Sequence, residues 1–281
     1  MNATDARAAL ADYGLILPDE LPTRQLCKCR TVEDAGRSDS GWFWIAGYLS
    51  TQLGQSVVGA YGNLKRGNEV KTLALRWANV HENQRETARA DQAQGKAAGE
   101  HYSAEQAGVA ITRSEKALAG LYQEGDDSWF RGQGVTAPGA FYGNGRVAIP
   151  LRSIRGRLRG LEFYDQQGGR KLVTGTRTRG AAFVIGEPEP DHPVLLSANL
   201  VSALALYKAL GWQSAYVVAD DNLPNIVGAW RKRFPAQDIG VCLEESGDAR
   251  STENRWANKC AQAGAFIVSP PTQGPTRPTA L

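Results

Sequence analysis

The stretch "PVLLSANLVSALALYKALGWQSAYVVAD", residues 193–220, decides the fold. "VLLS" is an apolar run too short for a buried helix, and it ends in the tight turn Ser197-Ala198-Asn199. An apolar helical segment follows, closed by Gly211, and then a second short apolar run, "SAYVVAD". Apolar runs of strand length separated by helix-length segments predict a strand, turn, helix and strand in sequence. The pattern continues with a helix in "NLPNIVGAWRKRF", a strand in "DIGVCLEES", a helix in "STENRWANKCAQAG" and a strand in "AFIVSPP". Asn222 and Ser251 or Thr252 stand where N-caps belong, and Gly211 and Gly264 stand just past helix ends. Such alternation with short loops predicts an α/β fold whose parallel sheet carries helices on both faces.

Working toward the N-terminus, "GRVAIPLRS", "GRLRGLEFYD" and "GRKLVTG" read as a β-hairpin or meander, with Gly160 a candidate bulge where the alternation breaks. Residues 81–125 are rich in Ala, Gln and Glu and contain no proline, which predicts an exposed helical connector. Residues 1–80, with "GWFWIAGYLS" and "QSVVGAYGNLKRG", predict a β-rich N-terminal module. The expected organisation is therefore 1–80, 81–125, 126–190 for the hairpin, 191–270 for the α/β domain, and a disordered Pro- and Thr-rich tail at 271–281. With 281 residues, 42% hydrophobic and 22% charged, the chain is long enough for two modest cores. No signal-like leader or membrane span is read, and the expected location is the cytoplasm. Four cysteines are too few and too irregular for a disulfide framework, so reduced thiols are expected. The formal charge of +3 is compatible with a phosphate-bearing partner without requiring one.

In an open parallel sheet, ligands gather at the carboxyl ends of the strands. Those ends fall at Ser197-Ala198-Asn199, at Asp220-Asp221-Asn222, and at Glu244-Glu245-Ser246 followed by Asp248. Paired acids at two of these three ends suit a hard divalent cation held through oxygens. The same residue types also cap helices and favour the helix dipole, so both readings stand.

The run from about 126 to 270 resembles the core of plasmid and phage primases that carry a Toprim domain. The likeness rests on "VAIPLRSIRGRLRGLEFYDQQGGRKLVTG", "VLLSANLVSALAL", "YVVADDNLPNIVGAWRKRFP", "IGVCLEES" and "ENRWANKCAQAGAFIVSPP", taken in order and spacing. The β-rich start resembles the N-terminal module of those primases more loosely. The resemblance implies a Toprim-like sheet for 191–270. It also implies a catalytic Glu-Gly at the first strand end, here Ala198-Asn199, and a magnesium-binding Asp pair at the third, here Glu244-Glu245-Ser246. An alanine methyl neither moves a proton nor ligates a cation. Glu244 alone keeps its charge in register, and Asp220 and Asp221 are the residual acids beside it. The expected protein is a degenerate, catalytically silent primase-like module of a mobile genetic element, plasmid or phage, that needs no cofactor. It would bind nucleic acid or a protein partner of a replication, transfer or defence system. The alternative is a divergent but active DNA primase holding magnesium through Glu244 with Asp220, Asp221 or Asp248.

Binding is expected from the basic residues in and after the hairpin, namely Arg152, Arg155, Arg157, Arg159, Arg170, Lys171, Arg177 and Arg179. Arginine forks suit phosphate oxygens, and Trp129, Phe130, Phe141 and Tyr142 lie close enough in sequence to suggest stacking on single-stranded DNA. Any one arginine read alone is a solvated surface residue, and each aromatic a core one. Arg231, Lys232 and Arg233 read as cations favouring a helix C-terminus. Cys27-Lys28-Cys29 lacks the further ligands of a structural zinc site, so no zinc is expected. No membrane partner, hydrolase triad or phosphate loop is read.

Overall fold

The computed structural model describes residues 3–36, 38–50, 54–73, 80–189, 191–243 and 250–268. The sequence-predicted acids Glu244 and Asp248, with Glu245, Ser246 and the 271–281 tail, lie outside the described residues. The chain divides into two compact units, one of Met1–Ala117 with Leu172–Arg177, the other of Leu118–Lys171 with Thr178–Leu281.

The first unit is an antiparallel sheet of β1 (Leu15–Ile16), β2 (Cys27–Thr31), β3 (Gly41–Ser50), β4 (Gly54–Asn63) and β5 (Lys71–Thr72), paired in chain order. In β3 the side-chain alternation sends Phe43 and Ile45 to a core shared with Ala6 and Leu10 of α1 (Ala3–Asp12). Trp42, Trp44, Ala46 and Tyr48 belong to clusters on the opposite set of positions, together with Ala88 and Tyr102 of α2 (Glu82–Leu118). Burial on both faces explains why "GWFWIAG" reads as a continuous apolar run.

The helix α2 departs from the expectation of an exposed connector, because Ala88, Asp91, Gly95, Gly99 and Ser103 form a buried face. A Cβ on Gly99 would lie 2.1 Å from Trp42 Cη2, and one on Gly95 would lie 2.3 Å from Trp44 Cε3. Small residues thus let the helix backbone sit directly on the indole rings, and small residues leave no apolar stripe for sequence reading to find. Asp91 fixes the docking, accepting from Arg24 Nε at 2.9 Å and from the Tyr48 hydroxyl. Burial, followed by the hydrogen bond to Asp91, pushes the Tyr48 hydroxyl up to about 12.

The second unit is built on one mixed sheet. Its strands are β6 (Phe141–Gly143), β7 (Arg146–Ser153), β8 (Leu158–Asp165), β9 (Arg170–Leu172), β10 (Ala181–Ile185), β11 (Val194–Ser197), β12 (Ser214–Val217), β13 (Ile239–Cys242) and β14 (Phe266–Val268). They run in the order β14-β13-β11-β12-β10-β7-β8-β9, with β6 beside β7. The first four are parallel, whereas β10 is antiparallel to both β12 and β7. Expected as separate pieces, the meander and the α/β segment are joined through β10, whose sequence "AAFVI" carries little strand signal of its own.

Three helices serve the parallel part, α4 (Leu200–Leu210), α5 (Leu223–Arg233) and α6 (Arg250–Gln262), while the short α3 (Ser128–Gly132) precedes the meander. Val194, Leu196, Val217, Ile226, Trp230 and Val241 are among the core residues that pack α5 on the strands. Asn222, expected to cap α5, does not cap it with its side chain. Buried instead, Asn222 accepts from Gly180 N at 2.9 Å and donates to Thr178 O at 2.7 Å, tying the second strand end to the entry of β10.

Candidate nucleic-acid interface

The turn between β7 and β8 is tight, with Ser153 N bonded to Arg157 O at 2.8 Å and Gly156 N to Ser153 O at 2.8 Å. Gly156 takes φ 81°, a left-handed conformation that favours glycine. Just beyond the turn the pairing slips, since Leu151 faces Gly160 but Arg152 faces Leu158. Arg159 is therefore the extra residue of a β-bulge, one position from the predicted Gly160. A bulge re-aims the side chain it carries.

That turn and the C-terminal half of α5 enclose an open groove of about 430 Å³. Arg155, Arg157 and Arg159 line one side, Lys232 and Arg233 the other, and no acid is among the lining residues. Among the described residues none of the five cations pairs with an acid. Arg159 Nε and Ser153 Oγ, both in the lining, are buried without a hydrogen-bond partner. A buried donor left unmade costs about 1–3 kcal/mol. Five unopposed cations converging on one groove repel one another and are relieved by an anion with several charged oxygens.

The structure sorts the sequence-predicted cations into two kinds. Arg157 and Arg159, with Arg155, face the groove, whereas Arg152 donates to Gly156 O at 3.1 Å and steadies the turn. Arg179 donates to Asn225 Oδ1 at 3.2 Å, Lys171 is exposed on β9, and Arg177 belongs to the first unit. Arg170 is held internally, its Nε 2.9 Å from Glu162 Oε1, a carboxylate only 1% exposed. The same carboxylate accepts from the hydroxyls of Tyr216 at 2.8 Å and Tyr164 at 3.3 Å. Burial, then the Glu162 charge, raises both tyrosine hydroxyls far above their ordinary range. Trp129 is half-buried and stacks on Tyr164 with ring centroids 5.8 Å apart, whereas Phe130 is fully buried and belongs to the core.

In "WRKRF" the sequence alone assigns Lys232 and Arg233 to the helix dipole. The 100° step of a helix separates them from their neighbour. Arg231 turns to the carbonyls of Pro235, Gln237 and Gly264, while the next two residues reach the groove.

At the first strand end Ala198 packs against the sheet core, and Asn199 caps α4 by accepting from Val201 N at 2.8 Å and Ser202 N at 3.2 Å. Asp220 and Asp221 are exposed in a one-turn 3-10 helix at the second. Burial and then the Asp220 charge push the Cys260 thiol up to about 11. Among the described residues, no three His, Cys, Asp or Glu side chains gather as a metal site. Cys27 and Cys29 lie on β2 in and against the core that contains Leu10 and Phe43.

No family model matches the chain, and no curated protein matches it. Among solved structures, the primase fragment of the bacteriophage T7 primase-helicase protein aligns at 10% identity and TM-score 0.38, over 53% of this chain and 70% of that one. A bacteriophage T7 lagging-strand polymerase complex with primase domains bound to an RNA/DNA hybrid aligns at 9% identity and TM-score 0.35, over 52% and 75%. The zinc-binding and RNA polymerase domains of the Aquifex aeolicus primase align at 10% identity and TM-score 0.40, over 94% and 76%.

Proposed function

We propose that the chain is a Toprim-primase-like protein that binds single-stranded nucleic acid through the groove between the β7–β8 turn and α5, and that it does not polymerise. The observation that carries this reading is the convergence of Arg155, Arg157, Arg159, Lys232 and Arg233 with the unpartnered Arg159 Nε. Phosphate recognition by such a set is independent of sequence and sensitive to salt. Loss of polymerisation follows from Ala198 at the position where the resembling family carries its glutamate, since a methyl group supplies neither a base nor a metal ligand. The setting consistent with this reading is cytoplasmic replication of a plasmid or phage, with an active enzyme as protein partner. Two measurements on the intact chain test it. Fluorescence anisotropy with a labelled 20-nucleotide single strand is expected to give binding at low salt that weakens steeply as salt rises. Primer synthesis with nucleotides and magnesium or manganese is expected to give no product. Absence of binding at low salt removes nucleic acid as a partner, and metal-dependent products lost in Glu244→Gln overturn catalytic silence.

A further inference from the structure

A second open groove, of about 440 Å³, adjoins the basic one, and Ser153 and Ile154 line both. The helix α5 also serves both, giving Trp230 and, at its C-cap, Phe234 to this groove and Lys232 and Arg233 to the basic one. Its character is different, because Phe141 and Phe234 present half-buried rings, the core residues Phe183 and Trp230 complete the aromatic lining, and Val184 contributes an apolar side chain that is 37% exposed. Besides Ser153 Oγ, one further polar atom there has no partner. Gln213 is 6% exposed and donates Nε2 to Gly186 O at 3.3 Å, while its Oε1 is buried with no hydrogen bond. Exchanging the amide O and N would set an oxygen against that carbonyl, so the orphan is an acceptor.

An aromatic-lined groove with one buried acceptor, opening beside a cluster of phosphate-seeking cations, matches the two halves of a nucleotide. Every base has a π-face, and adenine and cytosine present an exocyclic amine that an amide oxygen accepts. We infer that this is a nucleotide site, with the base in the apolar groove, its amine donating to Gln213 Oε1, and its phosphate in the basic groove. The inference rests on the phosphate-binding role proposed above and adds the base to it.

The test compares strands with and without bases. An oligodeoxycytidine and an abasic deoxyribose-phosphate strand of equal length carry the same phosphates, and the cytidine strand is expected to bind roughly fivefold or more tightly from one stacked base. Val184→Trp, which fills the groove without replacing any cation of the basic groove, is expected to bring the cytidine strand to the abasic level and leave the abasic strand unchanged. A parallel pair, deoxycytidine monophosphate and deoxyribose 5-phosphate, separates a free nucleotide from one within a strand. Equal affinity within both pairs overturns the base site while leaving phosphate binding intact. Preference for the mononucleotide over the sugar phosphate with no strand binding supports the base site and overturns the strand reading. No binding of any probe at low salt overturns both.

Discussion

Replacing Lys232 and Arg233 together by alanine is the sharpest test of the groove, because only the structure brings these residues to the turn arginines. If each of the five lining cations meets one phosphate, log K for a single strand falls with log salt at a slope of about 3.5, or about 0.7 per phosphate. Between 50 and 200 mM salt the parent should then lose about 130-fold in affinity, and the double variant, with three contacts, about 18-fold. Lys96→Ala in the first unit, whose ammonium pairs with Glu100 at 3.7 Å, is the charge control and should keep the parent slope. Anisotropy titrations at four salt concentrations read both slopes, and melting curves show that each variant is folded. A double variant with the parent slope, or a control that falls with it, refutes the groove as the phosphate site.

Other outcomes follow from the same geometry. Arg170→Ala should leave the salt slope unchanged and lower unfolding stability, since its guanidinium serves the buried Glu162; removing one partner of such a pair costs up to about 3–5 kcal/mol, less here because Arg170 is half exposed. Gly99→Ala gains about 1 kcal/mol of helix propensity, but a methyl 2.1 Å from the buried Trp42 ring costs about 1–3 kcal/mol of overpacking, so denaturant titration should find the first unit destabilised. Asp34 is desolvated, which alone would raise its pKa, but hydrogen bonds from Lys65, Ser40 and Thr31 outweigh this and hold the carboxyl well below the usual range. Its contribution is therefore present above about pH 4 and is lost as the pH falls through the lowered value, so Asp34→Asn should cost about 1–3 kcal/mol at pH 7 and progressively less in acid. Asn199→Ala should cost about 1 kcal/mol through loss of the α4 cap, read by thermal melting.

The parallel part of the second unit was legible because its strands are buried and short, and its helices end at Gly211 and Gly264, both at positive φ. The strand "AAFVI" was not, since two alanines in five residues carry little β signal and its pairing with β12 and β7 is wholly non-local. The buried face of α2 was hidden for a related reason, because glycine and serine fill it and leave the hydrophobicity to Trp42 and Trp44 across the interface. For the candidate site, arginine in bulk was visible, but the division between Arg159 in the groove and Arg170 on Glu162 depends on a one-residue bulge and a buried carboxylate. Neither leaves a mark in the local pattern.

Asn199 has a consequence beyond holding α4 in place. A helix start with open amides is a ready seat for a phosphate or carboxylate. In this chain the side chain of Asn199 already occupies Val201 N and Ser202 N. A glutamate placed at 198 would therefore set a charge beside a seat the protein has closed to other anions. Anion chemistry at this strand end needs two changes in concert, one to supply the acid and one to vacate the amides, and a single substitution at 198 should leave the amides capped.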